Sequence, residues 1–244
     1  MDISIGGNHF LKNGIELDLD SDGFNLVGKL SFSDLYPWPV TPLSPGVMGW
    51  FTWVPGMECY HGIVSMDHLI SGTLAINGEQ VNFSGGRGYM EKDWGRAMPR
   101  AWIWMQSNHF DQSGISLTLS IADIPWGGRS FTGFLGGILL DGQLHRFATY
   151  TGARIGNLSV SEESVQFVLV DRKKRLQVNA HRAQGFNLQA PTTTRMDRRI
   201  METLSADIEV AFDLKSNGQW AQVFRGTGRF AGLEVVGDVG SLSL

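Results

Sequence analysis

Residues 88–110 read "GYMEKDWGRAMPRAWIWMQSNHF", with Glu91, Lys92 and Asp93 bracketed by Tyr89 and Trp94. In an extended backbone, successive side chains alternate. Tyr89, Glu91 and Asp93 then share one side, and Met90, Lys92 and Trp94 the other. Two carboxylates on one side repel, which raises one pKa and keeps a protonated acid near neutral pH. Such an acid can protonate an inert substrate, with Lys92 holding geometry or balancing charge. A junction loop of solvated charges fits the same residue types. Further on, Trp102 and Trp104 share a strand face that continues through Gln106 and Asn108. Aromatic walls with a few fixed amides suit a cavity for a long amphipathic ligand, and indole faces stabilise a developing cation. Ordinary core packing explains that spacing equally well.

A second cluster lies in "MECYHGIVSMDHLISG", residues 57–72, with Glu58, His61, Asp67 and His68. A histidine tuned by a neighbouring carboxylate can relay a proton, and His61 and His68 are the candidates. His61, His68 and His109 could converge on a metal, but no helical HExxH spacing is present, so no metal site is expected. Structural histidines and turn acids are the plainer alternative.

The elements that must carry these residues are strands. Phe24, Leu26, Leu30 and Phe32 alternate on one face, as do Ile115, Leu117, Leu119 and Ile121. Val165, Phe167 and Leu169 repeat the pattern, followed by Ile208, Val210, Phe212 and Leu214. "SDG" (21–23), "NGE" (77–79), "DG" (141–142) and "SNG" (216–218) read as tight turns between them. "DRKKR" (171–175) reads as a solvated turn between the strand ending at Leu169 and the one beginning at Leu176. "YPWPVTPLSPG" (36–46) is a rigid proline loop. Residues 196–208 show some helical spacing through Ile200, Leu204 and Ile208. The expected architecture is all-β, barrel or sandwich. A boundary near residues 94–99 gives a first β domain over 1–95 and a second over 96–244.

The 244 residues suffice for one large or two small β domains. Residues 1–95 carry 4 Lys/Arg against 11 Asp/Glu, and residues 96–244 carry 16 against 13, so the halves differ in charge sign. No nucleic-acid-binding module is recognisable, and nucleic acid is not an expected partner. The single cysteine, Cys59, excludes an intramolecular disulfide and any multi-cysteine zinc site. Neither a signal peptide nor a spanning segment is visible, so a cytoplasmic location is expected, with peripheral membrane contact left open.

Taken together, "GGRGYMEKDWGRAMPRAWIWMQSNHF" resembles the signature of the tocopherol cyclase family. In that family an aromatic residue precedes Glu-Lys-Asn/Asp-Trp-Gly, followed by Pro-Arg/Lys-x-Trp-x-Trp-x-Gln-x-Asn. Glu91, Lys92, Asp93, Trp94, Gly95, Pro99, Trp102, Trp104, Gln106 and Asn108 fill those places. "MECYHGIVSMDH", "IADIPWGGRSFTGFL" and "FATYTGARI" are also similar to bacterial members. The resemblance implies two lipocalin-like β-barrel domains, as in carotenoid-hydratase-like proteins. It also implies an intramolecular lyase (isomerase) that closes a chroman ring on a prenylated hydroquinone, with no metal or organic cofactor.

Asp93 would be the acid, or Glu91 in its place, with His61 or His68 as relay and Lys92 beside them. Tyr89, Trp94, Trp102, Trp104, Gln106 and Asn108 would line the substrate. Two departures stand out. Asp93 replaces the asparagine usual in plant members, and the family's N-terminal Phe-Glu-Gly-Trp-Tyr region has no counterpart here. An incomplete first barrel with unpaired edges is therefore expected. A non-catalytic lipocalin-like binder of a hydrophobic ligand is the alternative function. A pericyclic ring closure, needing aromatic walls but no acid, is a weaker third.

Overall fold

The computed structural model describes residues 2–192 and 194–242. Its strands are β1 (Asp2–Ile5), β2 (Asn8–Leu11), β3 (Gly14–Ser21), β4 (Phe24–Ser33), β5 (Val40–Thr41), β6 (Ser44–Pro45), β7 (Cys59–Ile76), β8 (Glu79–Asn82) and β9 (Arg87–Gly95). There follow β10 (Trp102–Ser107), β11 (Ser116–Trp126), β12 (Arg129–Leu140), β13 (Gln143–Ala148), β14 (Arg154–Val160), β15 (Ser164–Val170) and β16 (Lys174–His181). The last three are β17 (Phe186–Ala190), β18 (Arg198–Ser216) and β19 (Gln219–Val236). Among the described residues, short 3-10 turns lie at Gly49–Trp53, Thr149–Thr151 and Val239–Leu242. Among the described residues no helix is long and apolar enough to cross a membrane.

The hairpins form where the turn chemistry demands. Asp22-Gly23, Asn77-Gly78, Asp141-Gly142 and Asn217-Gly218 all hold positive φ at both positions. That is the geometry whose twist matches flanking antiparallel strands, and Asn, Asp and Gly tolerate it best.

Contacts divide the chain into two compact units, Met1–Trp38 with Ile63–Glu91, and Pro39–Gly62 with Lys92–Leu244. The chain passes from one to the other within β7 and β9. The proline-rich segment, expected with the first β domain, groups with the second unit. In the first unit the sheet runs β1-β2-β3-β4-β7-β8, with β9 paired to β7. It is open: β1 and β8 end the path, and no pairing closes them among the described residues. Leu30, Ile63, Met66 and Leu74 supply its buried apolar core.

The second unit carries a ten-stranded antiparallel sheet ordered β13-β12-β11-β10-β19-β18-β16-β15-β14, with β17 on β18. Its main core takes alternate residues from each strand. These include Ile103 and Met105, Leu117 and Leu119, Val165 and Phe167, and Val210 and Phe212. In β15 the alternation read from sequence is the burial pattern observed, whereas β11 also buries the intervening Ser116 and Thr118, and Phe24 of the β4 stripe is exposed. The "DRKKR" turn also forms, with the backbone N–H groups of Lys173 and Lys174 donating to Asp171.

The helical spacing at 196–208 is overturned, because Arg198–Ser216 is one long strand. Register shifts between Thr203 and Ala206, and between Ala206 and Ile208, mark bulges against β19. Each bulge slips the buried positions out of strict alternation, so Ile200, Thr203 and Ala206 are buried at steps of three while Leu204 is exposed. That imitates a helical stripe.

Candidate active site

β7 and β9 lie side by side, which brings His61 to Asp93. Nδ1 of His61 and Oδ1 of Asp93 are 2.6 Å apart, with His61 only 13% exposed and Asp93 31%. The backbone N–H of His61 meets the sulfur of buried Met48 at 3.1 Å, which anchors this part of β7. Beside the pair, Tyr60 stacks on Trp94 with centroids 5.6 Å apart and planes 13° from parallel. The Tyr60 hydroxyl donates to the Val54 carbonyl at 2.8 Å. Gly62 lets the indole come close, since a Cβ there would stand 3.0 Å from Cζ3 of Trp94. Lys92 lies over the same ring, Nζ 4.7 Å from its centroid. Trp94 itself remains exposed. A carboxylate on Nδ1 fixes the imidazole's orientation, and Nε2 on its far side is buried.

The alternation of β9 therefore holds: Lys92 and Trp94 are on one side, and Glu91 and Asp93 on the other. In the first unit the Tyr89 hydroxyl donates to Glu91 at 2.5 Å. Glu91 is thus engaged with Tyr89 and Asp93 with His61.

His68 has a different setting. It is buried in the first unit, with its ring 4.5 Å from Phe32 and its Nε2 against Gly88. Nδ1 has no hydrogen-bond partner, and burial holds the imidazole below its ordinary pKa. Next to it, Arg87 forks onto both oxygens of buried Asp67, with Nε 3.0 Å from Oδ1. His109 in turn packs edge-on to Phe230. The histidines thus have separate partners.

In β10 the two faces separate. Ile103 and Met105 enter the main core. Trp102 and Trp104 belong to a second cluster with Ala122, Ala190, Ile200, Val236 and Met98. Trp102 is 5% exposed, so it is a packed residue rather than an open wall. Its indole N–H donates to Glu234 at 2.5 Å, and the Arg198 guanidinium lies 4.7 Å over its ring. Trp104 packs over Gly232, whose Cβ would stand 2.7 Å from the ring. Gln106 buries an amide nitrogen without a partner, and Asn108 is buried.

Sequence reasoning missed Tyr60, and it missed a facing pair of acids. Glu202 of β18 lies directly opposite Glu234 of β19, which is in turn opposite Trp104. Burial raises Glu202 above the ordinary carboxylate value. Only the strand register reveals that pair. The acids stand 32 residues apart in stretches that read as a loose helix and a glycine-rich end.

The fold is all-β, antiparallel and lipocalin-like. Residues 29–237 match the family described as tocopherol cyclase-like, and the chain belongs to that family. A probable chloroplastic tocopherol cyclase of Oryza sativa subsp. japonica is 27% identical over 218 residues, 83% of this chain and 45% of that protein. A chloroplastic tocopherol cyclase of Zea mays is 32% identical over 108 residues, 43% of this chain and 23% of that protein. The chain thus spans less than half the length of these curated relatives. The crystal structure of kievitone hydratase from Nectria haematococca shares the fold, with a TM-score of 0.50 and 11% identity. That match covers 97% of this chain and 71% of the other.

Proposed function

We propose that this chain is an intramolecular cyclase for a hydrophobic phenol bearing an alkene, of the prenylated hydroquinone class, with the His61–Asp93 pair moving the proton. The observation that carries this is the 2.6 Å bond between the two side chains beside the Tyr60–Trp94 stack. In this scheme the His61 imidazolium gives its proton to the less substituted alkene carbon. The π bond breaks and a tertiary cation forms. The phenol oxygen attacks that cation, closing the ring, and its proton returns to His61. Atoms balance without any co-reactant, so the reaction is an isomerisation. Asp93 keeps the ring aimed and offsets its charge.

Family membership supports this reading. The test is incubation of the purified chain with a prenylated hydroquinone and chromatographic assay for the chromanol. Product formation that disappears in His61→Gln is expected, whereas no product from the wild type would end it.

One observation favours a second reading, a non-catalytic binder of a hydrophobic ligand. Asp93 is engaged by His61 rather than presented to a ligand. A binder would quench tryptophan fluorescence on titration with the same hydroquinone while returning it unchanged.

A further inference from the structure

We propose that the loop Pro39–Met57, with the Trp126–Arg129 turn beside it, is a surface that inserts into the interface of an anionic lipid bilayer. Between Asp34 and Glu58 the chain has no charged residue, although this stretch includes some of the most exposed side chains of the second unit. Leu43 is 86% exposed, Val40 71% and Trp53 66%, and Trp50 and Trp126 are about half exposed at 47% each. Isolated apolar residues on a surface are ordinary, but a contiguous group marks a contact site. These are contiguous. The Trp53 indole donates to the Pro42 carbonyl at 3.2 Å. Trp50 stacks on Phe51 at 4.1 Å, and Phe51 meets Trp126 edge-on at 6.0 Å.

The segment is also fixed in place. Val47 and Met48 are buried, the Tyr150 hydroxyl donates to the Val47 carbonyl at 2.7 Å, and β5 pairs with β6. The exposed side chains are therefore held outward by a braced frame, at low further entropic cost on contact.

Charge and composition select lipid over protein. Protein interfaces ring an apolar centre with charged and polar groups, whereas this loop supplies only threonine and serine. Tryptophan with proline-braced aliphatic tips is the composition of the membrane interface. The cation is at the patch edge: exposed Arg129 stands directly across the hairpin from Trp126. The acid further along that strand, Asp123, is already neutralised by Arg100. An arginine beside an apolar patch is complementary to an anionic headgroup, and such paired signals are what hold a protein at a membrane surface. This inference does not depend on the cyclase reading.

The test is co-sedimentation of the full chain with vesicles of phosphatidylcholine mixed with phosphatidylglycerol, and with vesicles of phosphatidylcholine alone. The wild type is expected to pellet with the mixed vesicles and more weakly with the neutral ones. Leu43→Asp/Trp53→Asp should lower the bound fraction about tenfold or more on both, with an unchanged far-UV spectrum. Arg129→Glu should weaken binding to the mixed vesicles only. Phe186→Asp, an exposed aromatic elsewhere on the sheet, should bind as wild type does. Failure to pellet with either vesicle, or equal binding by the Leu43/Trp53 variant, overturns the proposal. So does self-association without lipid that the same variant abolishes, since a second protein chain would then be the occupant.

Discussion

Nδ1 of His61 sits 2.6 Å from Oδ1 of Asp93, although 32 residues separate them in sequence. The pairing of β7 with β9 makes the contact. Asp93→Asn installs the residue usual in plant members and keeps an acceptor for Nδ1, whereas Asp93→Ala removes the acceptor that aims the ring, and it is the alanine variant that tests the pair. Turnover of a prenylated hydroquinone should fall about 10²- to 10⁴-fold in kcat, with KM nearly unchanged. A structural role for Asp93 would move both parameters, or the unfolding midpoint, instead.

Trp94 lies on the side of β9 away from Asp93, so its indole is separate from the proton transfer. Trp94→Leu and Trp94→Phe should both leave kcat close to the wild-type value. Because Trp94 is exposed, stacked on Tyr60 with Lys92 over its ring, neither change should shift the urea midpoint appreciably. A loss of stability equal to that of a core substitution would show that the ring is structural.

In the first unit, Arg87 neutralises a carboxylate that is 5% exposed. Removing one partner of a buried pair leaves the other charge stranded. Arg87→Ala should therefore cost about 3–5 kcal/mol in urea unfolding. Arg87→Ala/Asp67→Leu, which removes both charges, should recover a large part of that loss.

Burial also makes the first unit sensitive to acid. His68 is held below its ordinary pKa of 6.5 in the native state, so the unfolded chain takes up the proton first. Its contribution to stability is complete above pH 6.5. It is lost as pH falls from that value through the lower native pKa. Unfolding free energies measured across pH 7.5 to 5 (about neutral to mildly acidic, the histidine window) should decline more steeply in the wild type than in His68→Phe.

Strand alternation and turn dipeptides made much of the second unit legible. Val165, Phe167 and Leu169 are buried as their spacing predicts, because a half-buried strand must alternate. Bulges between Thr203 and Ile208 hid the first part of β18, since each extra residue resets the period, while its second part was read as a strand from Ile208, Val210, Phe212 and Leu214. His61 and Asp93 were both recognisable as candidates, but their contact was not, for a cross-strand hydrogen bond depends on register. The Trp102–Trp104 face was correctly separated from Ile103 and Met105. Its packing under Ala190 and Ile200 depends on a segment nearly 90 residues further on and leaves no trace near the tryptophans. The facing acids Glu202 and Glu234 were invisible for the same reason.

Solvent isotope incorporation tests the central claim most directly. The purified chain is incubated with a prenylated hydroquinone in deuterium oxide, and the chromanol is analysed by mass spectrometry and NMR. If His61 delivers a solvent-exchangeable proton to the alkene, the product carries one deuterium on the ring methylene next to the new quaternary carbon. His61→Gln should then yield no labelled product above the uncatalysed background. Unlabelled chromanol, or labelled product formed equally fast by His61→Gln, would contradict proton transfer from the His61–Asp93 pair.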